Sequence, residues 1–133
     1  LIENGMIPPV VKTGNIHSLR TWSDVRNAVK AYYILVTTNP VFGEYYNIGG
    51  TFSCTIGAML QYLISISTCK DIIRVETEPS RLRPLDADLQ IPDNSKFKNH
   101  TGWEPEIPFE KTMQDLLDYW RNKIKSGRMF LTR

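Results

Sequence analysis

The sequence has too few cysteines and histidines for a disulfide framework or a zinc site. It has two cysteines, Cys54 and Cys69, and they do not form a C-x-x-C pair. Its two histidines, His17 and His100, lie far apart and do not form the H-x-x-x-H spacing that binds zinc on a helix. We therefore expect two free thiols in a reducing cytoplasm and no metal site.

Long apolar runs and a strong charge of one sign are also missing. No apolar run approaches the roughly 18 residues of a membrane-spanning helix, and no signal peptide precedes the first strand. The formal net charge of +2 is too small to predict nucleic-acid binding. The sequence thus predicts neither a membrane nor a nucleic acid as a partner. Because the chain begins with Leu1 instead of Met, we expect a fragment of a longer protein.

The sequence lacks the glycine-rich turns that hold nucleotide cofactors. It contains neither G-x-G-x-x-G nor the Gly-Lys-Ser/Thr of a phosphate-binding loop. Gly49 and Gly50 lie between a predicted strand and a predicted helix, but the next glycine, Gly57, falls inside that helix. We interpret the pair as a tight turn, and we predict no cofactor site in this chain.

One pair of residues has the spacing of a catalytic Tyr-x-x-x-Lys. In such a pair the nearby ammonium lowers the pKa of the phenol, so that the tyrosine can transfer a proton. Tyr119 and Lys123 lie near the chain end, on the last predicted helix, with no cofactor-binding strand before them. We interpret them as helix-surface residues, and we assign no catalytic residue.

What the sequence does contain is typical of one globular α/β domain. With 133 residues, 41% hydrophobic and 23% charged, it can bury a core. Strand-like and helix-like patterns alternate along it, which predicts a small mixed domain of short strands and about four helices. The predicted strands cover residues 8–12, 19–23, 44–48, 73–77 and 89–92. The predicted helices cover residues 24–38, 55–66, 93–101 and 108–125.

Two apolar stripes at helical spacing predict which helix faces are buried. The stripe of the first helix consists of Val25, Ala28, Val29, Tyr32, Leu35 and Val36. The stripe of the last helix consists of Phe109, Met113, Leu116, Leu117, Trp120 and Ile124. Thr21 and Asp24 have the spacing of a capping box before the first helix, with Asp in place of the usual Glu or Gln.

Other short signals predict how elements begin and end. Thr55 is predicted to cap the second helix, whose apolar face includes Ile56. Asp93 is predicted to cap the third helix, which Gly102 ends. Residues 13–15, which include Gly14, form a predicted turn after the first strand.

Cationic and polar side chains lie at or near the ends of the predicted strands. They are Lys12, Asn15, Arg20, Arg81 and Arg83, with Asp86 beside the last two. Guanidinium groups match phosphate oxygens, and a carboxylate suits ribose hydroxyls. The residues therefore indicate an anion or nucleotide site, although solvated surface charges would give the same pattern.

A set of short motifs resembles the C-terminal half of the extended short-chain dehydrogenases/reductases. Within that group the chain is similar to the GDP-mannose 4,6-dehydratases and the GDP-4-keto-6-deoxymannose reductases. Each motif is weak alone, but together they cover essentially the whole chain. They occupy residues 10–16, 20–25, 44–49, 83–86, 93–96, 102–105 and 116–121.

The resemblance implies the substrate lobe of an extended Rossmann-type enzyme without its Rossmann domain. Residues 1–133 would form a nucleotide-sugar-binding domain. NAD or NADP and the catalytic residues would belong to a missing N-terminal half, so this chain alone is predicted to be inactive. Arg20 and Arg83 would hold the diphosphate from two sides, and Asp86 would bind the ribose. Lys12 and Asn15 would line the approach of the nucleotide.

The sequence leaves alternatives open. The chain could instead be a stand-alone, non-catalytic nucleotide-sugar-binding module, or an interaction domain without a ligand. Dehydratase, reductase and epimerase activities, the exact sugar and nucleobase, and NAD against NADP are not distinguished. We also expect the isolated lobe to be unusually unstable or to self-associate as a homo-oligomer, because the face that packs on the missing half would be exposed.

Overall fold

The fold is α/β, as predicted. The computed structural model describes residues 1–83 and 87–127. Its strands are β1 (Val10–Thr13), β2 (Leu19–Trp22), β3 (Phe52–Thr55), β4 (Arg74–Thr77) and β5 (Leu89–Gln90). Its helices are α1 (Val25–Thr37), α2 (Ile56–Ser65), α3 (Ser95–Thr101) and α4 (Phe109–Lys125). A single 3-10 turn, Pro79–Arg81, follows β4. None of the described helices is long and apolar enough to cross a membrane.

The strands form two small sheets. In the first, β1 and β4 run parallel, with Val10 opposite Arg74 and Thr13 opposite Thr77. In the second, β2 is central, antiparallel to β3 on one side and parallel to β5 on the other. Because β1 and β4 are parallel, both end at the same edge of their sheet. The loops that follow these two strands are therefore neighbours.

The strand predicted at residues 44–48 is wrong. This segment has no regular secondary structure, and the strand near it is β3 instead. The alternation of side chains is real, since Tyr46 and Ile48 pack on the buried cluster of Ala31, Phe97 and Trp103. A strand also needs a backbone partner, and the described part of the chain offers none here.

The turn after this segment requires a glycine. A Cβ atom at Gly50 would lie 1.7 Å from the carbonyl oxygen of Trp22, far inside van der Waals contact. The close approach of the two backbones is possible only without a side chain. The interpretation of Gly49 and Gly50 as a tight turn agrees with this packing.

Four of the six residues predicted to form the buried stripe of α1 point away from the core. Val25, Val29, Tyr32 and Val36 are between 59% and 72% exposed. The helix instead packs through Asn27 and Ala31, which are buried, with Ile34 and Leu35 half-buried beside them. The prediction failed because helical spacing identifies an apolar face but not what covers it.

Asn27 explains how a polar residue can direct α1 inward. Its amide nitrogen donates to the carbonyl oxygen of Ile107 at 3.1 Å. Its amide oxygen accepts from the backbone amides of Glu106 and Ile107, both at 3.2 Å. A buried amide with all these bonds satisfied has little desolvation penalty, and it fixes the position of α1 against the loop before α4.

A second core lies between the three-stranded sheet and α4. The ring of Phe109 stacks on Phe52, with centroids 4.5 Å apart, and also contacts Trp22 and Tyr62. In the predicted stripe of α4, Phe109 and Met113 are buried, whereas Leu116 and Trp120 are 41% and 48% exposed. The stripe of α4 is therefore only partly covered in this chain.

The first helix begins at a buried carboxylate. Asp24 is 4% exposed, and one of its oxygens accepts from the backbone amide of Arg26 at 2.8 Å. The guanidinium of Arg26 and the hydroxyl of Thr112 also donate to this carboxylate. These bonds hold the pKa of Asp24 well below its usual range, and the bond from the Arg26 side chain has the largest effect. The capping box with Thr21 is wrong, because Thr21 lies in β2 and its hydroxyl pairs with that of Ser53.

We expect Asp24→Ala to lower the free energy of unfolding by about 2 kcal/mol, the upper range for a lost helix cap. The reason is that one substitution removes the cap of α1 and its bond to Thr112 on α4, and leaves Arg26 and Thr112 each with one acceptor fewer. Urea denaturation measures this change. Asp71→Ala, which removes an exposed carboxylate from a turn, should shift stability by less than about 0.5 kcal/mol.

The same carboxylate predicts a pH dependence. Its folded-state pKa lies below the ordinary value of about 3.9, so its contribution is fully present above about pH 4 and is lost as the pH falls toward the folded-state value. The wild type should therefore lose more stability than Asp24→Ala between about pH 5 and pH 2.5. Parallel pH profiles for the two proteins would contradict this assignment.

Candidate functional site

The candidate site lies where β1 and β4 end. Thr13 closes β1, and its carbonyl oxygen accepts from the amide of Glu78, the first residue after β4, at 2.8 Å. The hydroxyl of Thr13 donates to the carbonyl oxygen of Glu76 at 3.2 Å. These two bonds hold the loop after β1 against the loop after β4, and the second loop carries the two predicted arginines.

The structure brings four of the six predicted site residues to one cavity. The cavity has a volume of about 320 Å³. It is lined by Gly14, Asn15, Arg20, Ile56, Arg81 and Arg83. Three guanidinium groups around one space make the cavity strongly attractive to anions. Asp86, the predicted ribose ligand, lies outside the described residues.

One side of the cavity, which we call the strand wall, is formed by Asn15 and Arg20. Arg20 is half-buried on the central strand of its sheet, and its Nη1 donates to the carbonyl oxygen of Leu19 at 3.0 Å. Asn15 donates to the hydroxyl of Ser18 at 2.8 Å and accepts from the amide of His17 at 2.9 Å. Ladder pairing on both sides of β2 therefore holds Arg20, whereas Asn15 is held by its side-chain bonds within the loop.

The other side, which we call the loop wall, is formed by Arg81 and Arg83. Arg81 ends the 3-10 turn after β4. Its Nε donates to the carboxylate of Glu78, which also accepts from the ammonium of Lys12 at 3.3 Å. These two bonds hold the pKa of Glu78 below its ordinary value, and the bond from Arg81 has the larger effect. Lys12 thus reaches the site only through Glu78, and it does not line the cavity.

The N-terminus of α2 is close to the cavity, but its first amides have partners within the chain. The amide of Ile56 donates to the carbonyl oxygen of Ser18 at 3.1 Å, and that of Gly57 donates to Ile16 at 2.8 Å. The amide of Ala58 donates to the hydroxyl of Thr55, which confirms the predicted cap. Recognition of an anion therefore falls to the arginine side chains.

Other chemistry has little support among residues 1–83 and 87–127. No three His, Cys, Asp or Glu side chains there are grouped so that they could hold a metal ion. Burial raises the pKa of the Cys54 thiol, which disfavours its reactive thiolate form. The ammonium of Lys123 lies 5.4 Å from the ring centre of Tyr119 on the outer side of α4, and neither residue lines the arginine cavity.

Comparison with known families decides the classification of this arginine-lined domain. The family model described as GDP-mannose 4,6 dehydratase matches residues 2–116. The chain belongs to this family. The resemblance read from the sequence motifs is thereby confirmed.

Solved structures share the fold across nearly the whole chain. RMD from Pseudomonas aeruginosa, complexed with NADPH, superposes with a TM-score of 0.80 over 92% of this chain at 20% identity. UDP-glucose 4-epimerase from Thermotoga maritima, with UDP-glucose, gives a TM-score of 0.73 over 92% at 22% identity. dTDP-glucose 4,6-dehydratase from Bacillus anthracis, in complex with NAD, gives 0.60 over 85% at 24% identity.

The matched region is only a part of each of these enzymes. This chain covers 39% of the RMD chain, 37% of the epimerase and 34% of the dehydratase. This chain therefore spans well under half of the length of these related structures.

The sequence did not identify two of the residues that line the cavity. Ile56 was expected only as part of the apolar face of α2, and Gly14 only as part of a turn. The signal that could have located them is their position, since each directly follows a strand whose end approaches the arginines. A pattern within one segment of sequence cannot predict a contact between two loops that are distant along the chain.

The cavity predicts stabilisation of the chain by an anion. Inorganic pyrophosphate should raise the thermal unfolding midpoint, because an anion that binds only the folded state stabilises it. Arg20→Ala and Arg83→Ala should each reduce this rise. Arg74→Ala is the matched control, since Arg74 is exposed at the opposite end of β4 and does not line the cavity. An equal rise in all four proteins would show that the cavity does not bind the anion.

Proposed function

We propose that this chain is the nucleotide-sugar-binding part of a cytoplasmic, NAD(P)-dependent dehydratase or reductase that acts on a substrate of the GDP-mannose type. The observation that carries this proposal is the cavity in which Arg20 meets Arg81 and Arg83. The family match adds the substrate class. The ligand would be a sugar joined to a nucleoside diphosphate.

The two walls would bind a diphosphate between them. Arg20 lies on a strand and Arg83 on a loop of the same cavity, and their guanidinium groups would bind the two phosphates from two sides. Each guanidinium can donate two parallel hydrogen bonds to phosphate oxygens, which an ammonium cannot do. Asn15 would line the approach of the nucleotide, and Lys12 would act through Glu78. Asp86 would bind the ribose of the nucleotide.

The related structures support a dinucleotide cofactor in the longer protein, since RMD is complexed with NADPH and the dTDP-glucose dehydratase with NAD. The glycine turn in the described part of this chain does not fit such a cofactor. At the Gly49-Gly50 turn, a Cβ on Gly49 would lie 2.5 Å from Pro92 and one on Gly50 would meet Trp22. Protein atoms therefore fill the space that a pyrophosphate would need. We assign the cofactor and the chemical step to the part of the enzyme outside this chain.

The exposed stripe of α1 supports a fragment of an enzyme over a stand-alone module. We call the surface formed by Val25, Val29, Tyr32, Tyr33 and Val36 the α1 face. These large side chains are exposed on one helix, and Phe42 and Tyr45 beyond its end are 95% and 82% exposed. Apolar patches of this kind on a soluble domain are usually covered by a partner.

The proposed occupant of the α1 face is the cofactor-binding half of the same protein. The related chains are more than twice as long as the part that this chain matches, so a second half of the fold has to pack somewhere. Segment 44–48 lies beyond α1 without a strand partner among the described residues. An open sheet edge in the other half would supply that partner, and its surface would cover the α1 face.

The arginines predict a measurable loss of nucleotide binding. Arg20→Ala and Arg83→Ala should each raise the dissociation constant of GDP about ten- to hundredfold. This corresponds to about 1.5–3 kcal/mol, the usual contribution of a hydrogen bond to a charged group. Isothermal titration calorimetry measures the change. Arg20→Lys should recover only part of the loss, because an ammonium does not reproduce the bidentate contact.

The control for this experiment is again Arg74→Ala, which removes an exposed guanidinium of the same charge. It should leave GDP binding unchanged within about twofold. If Arg20, Arg83 and Arg74 variants all show the same small effect, the arginines are ordinary surface charges, and the assignment of the cavity has to be withdrawn.

The α1 face predicts self-association of the chain on its own. Sedimentation velocity should show oligomers, and a hydrophobic dye should bind. The double variant Val29→Glu with Tyr32→Glu should reduce both effects, since the two positions are exposed and the charges can be solvated without unfolding the helix.

Ile72→Glu provides the comparison, because Ile72 is 57% exposed but lies outside the α1 face. It should leave the oligomers and the dye binding unchanged. A monomeric wild type with negligible dye binding would argue against a covered face in the longer protein.

A further inference from the structure

Gly14 is the point at which the strand wall and the loop wall of the cavity touch. A Cβ atom at this position would lie 2.6 Å from the carbonyl oxygen of Arg81 and 3.2 Å from its carbonyl carbon. Both atoms belong to the backbone, so no side-chain rotation could relieve the contact. Any residue larger than glycine would have to push the Arg81 backbone away.

The backbone conformation does not itself require a glycine. Positive φ angles occur at Gly5, Gly43, Gly102 and Gly127 among the described glycines, and Gly14 is not one of them. An alanine could therefore adopt the backbone angles of Gly14 without strain. The close approach to Arg81 is the feature that excludes a side chain.

The loop wall would move as a unit if Arg81 were displaced. The amide of Arg81 donates to the carbonyl oxygen of Glu78 at 2.9 Å, and that of Leu82 donates to Pro79 at 3.1 Å. These bonds close the 3-10 turn, so a shift of the Arg81 carbonyl is carried to the arginine side chains of the turn and the residues after it. On the opposite wall, Arg20 is held separately, because it lies on the central strand of its sheet.

We propose that Gly14 sets the distance between the two walls and is thereby a positioning residue for diphosphate binding. This proposal rests on the function proposed above. A diphosphate has to reach the guanidinium groups of both walls, whereas a single phosphate can be bound by one wall alone. The contact at Gly14 therefore selects nucleoside diphosphates over nucleoside monophosphates.

The test compares GDP and GMP binding to the wild type and to Gly14→Ala by calorimetry. We expect the dissociation constant of GDP to rise about tenfold, because the wider cavity loses contact with one wall. That of GMP should change by less than about threefold. Hydrogen exchange provides a readout without ligand. The amide of Glu78, which donates to Thr13 from one loop to the other, should exchange faster in Gly14→Ala.

Gly49→Ala is the matched control. Its Cβ would meet Pro92 at 2.5 Å, a contact as short as that at Gly14 but outside the cavity. It should lower stability without changing the preference for GDP over GMP. An equal loss of preference in both variants, or an unchanged preference in Gly14→Ala, would overturn the proposal.

The remaining outcomes separate this proposal from the proposed function. If the wild type binds neither nucleotide, the proposed function fails, and the selectivity inferred for Gly14 fails with it. Unchanged exchange at the Glu78 amide in Gly14→Ala would overturn the role of Gly14 even where GDP binds to the wild type. If Gly14→Ala does not fold while Gly49→Ala does, the contact is a requirement of the whole fold and not of the cavity width, which also overturns the proposal.

Discussion

The carboxylate of Asp24 is the interaction on which the arrangement of the domain depends. Asp24 closely follows β2, and its carboxylate caps α1 and accepts from Thr112 on α4. One buried group therefore lies at the junction of a strand and two helices. Arg26 neutralises it and also bonds to Asp115, which adds a second link to α4. A buried carboxylate is costly unless fully paired, and here one of the bonds that pair it, that from Thr112, also holds the start of α1 against α4. The position of Arg20 on β2 relative to the rest of the domain follows from this junction.

The local features of the fold could be predicted because they depend on nearby residues. Thr55 caps α2 and Gly102 ends α3 with φ +70°, as their residue types indicate. Asp93 does contact the start of α3, by accepting from the amide of Ser95, although the capping residue itself is Asn94. The wrong predictions concern which part of the protein packs against each element. The stripe of α1 and segment 44–48 have the composition of buried elements. In the described part of the chain most of the stripe stays exposed, and the segment packs Tyr46 and Ile48 inward without pairing as a strand. Apolar periodicity indicates which face of an element is buried, but it does not indicate which domain or partner covers that face.

The same distinction applies to the site. Arginines that follow strands indicated an anion site, and the parallel pairing of β1 and β4 explains why loops so distant in sequence become neighbours. The sequence could not show that Glu78 engages both Lys12 and Arg81, since that contact exists only after the strands pair. Nor could it show that the first amides of α2 are occupied by carbonyl groups of the preceding loop. Residue type predicted the charge of the site, whereas its shape came from backbone contacts between segments.

The two walls of the cavity also determine when the cavity can form as the chain folds. Lys12 and Glu78, which join the loops at its edge, are 66 positions apart along the chain, and the β1–β4 pair closes a loop of similar length. Closure of so long a loop has a large entropic cost that local helices do not share, so long-range strand pairing is the slow event in folding. The helices can form early, but the arginines converge only once both sheets are complete. Affinity for an anion is therefore a property of the fully folded chain alone, and a partly folded intermediate with intact helices would have none.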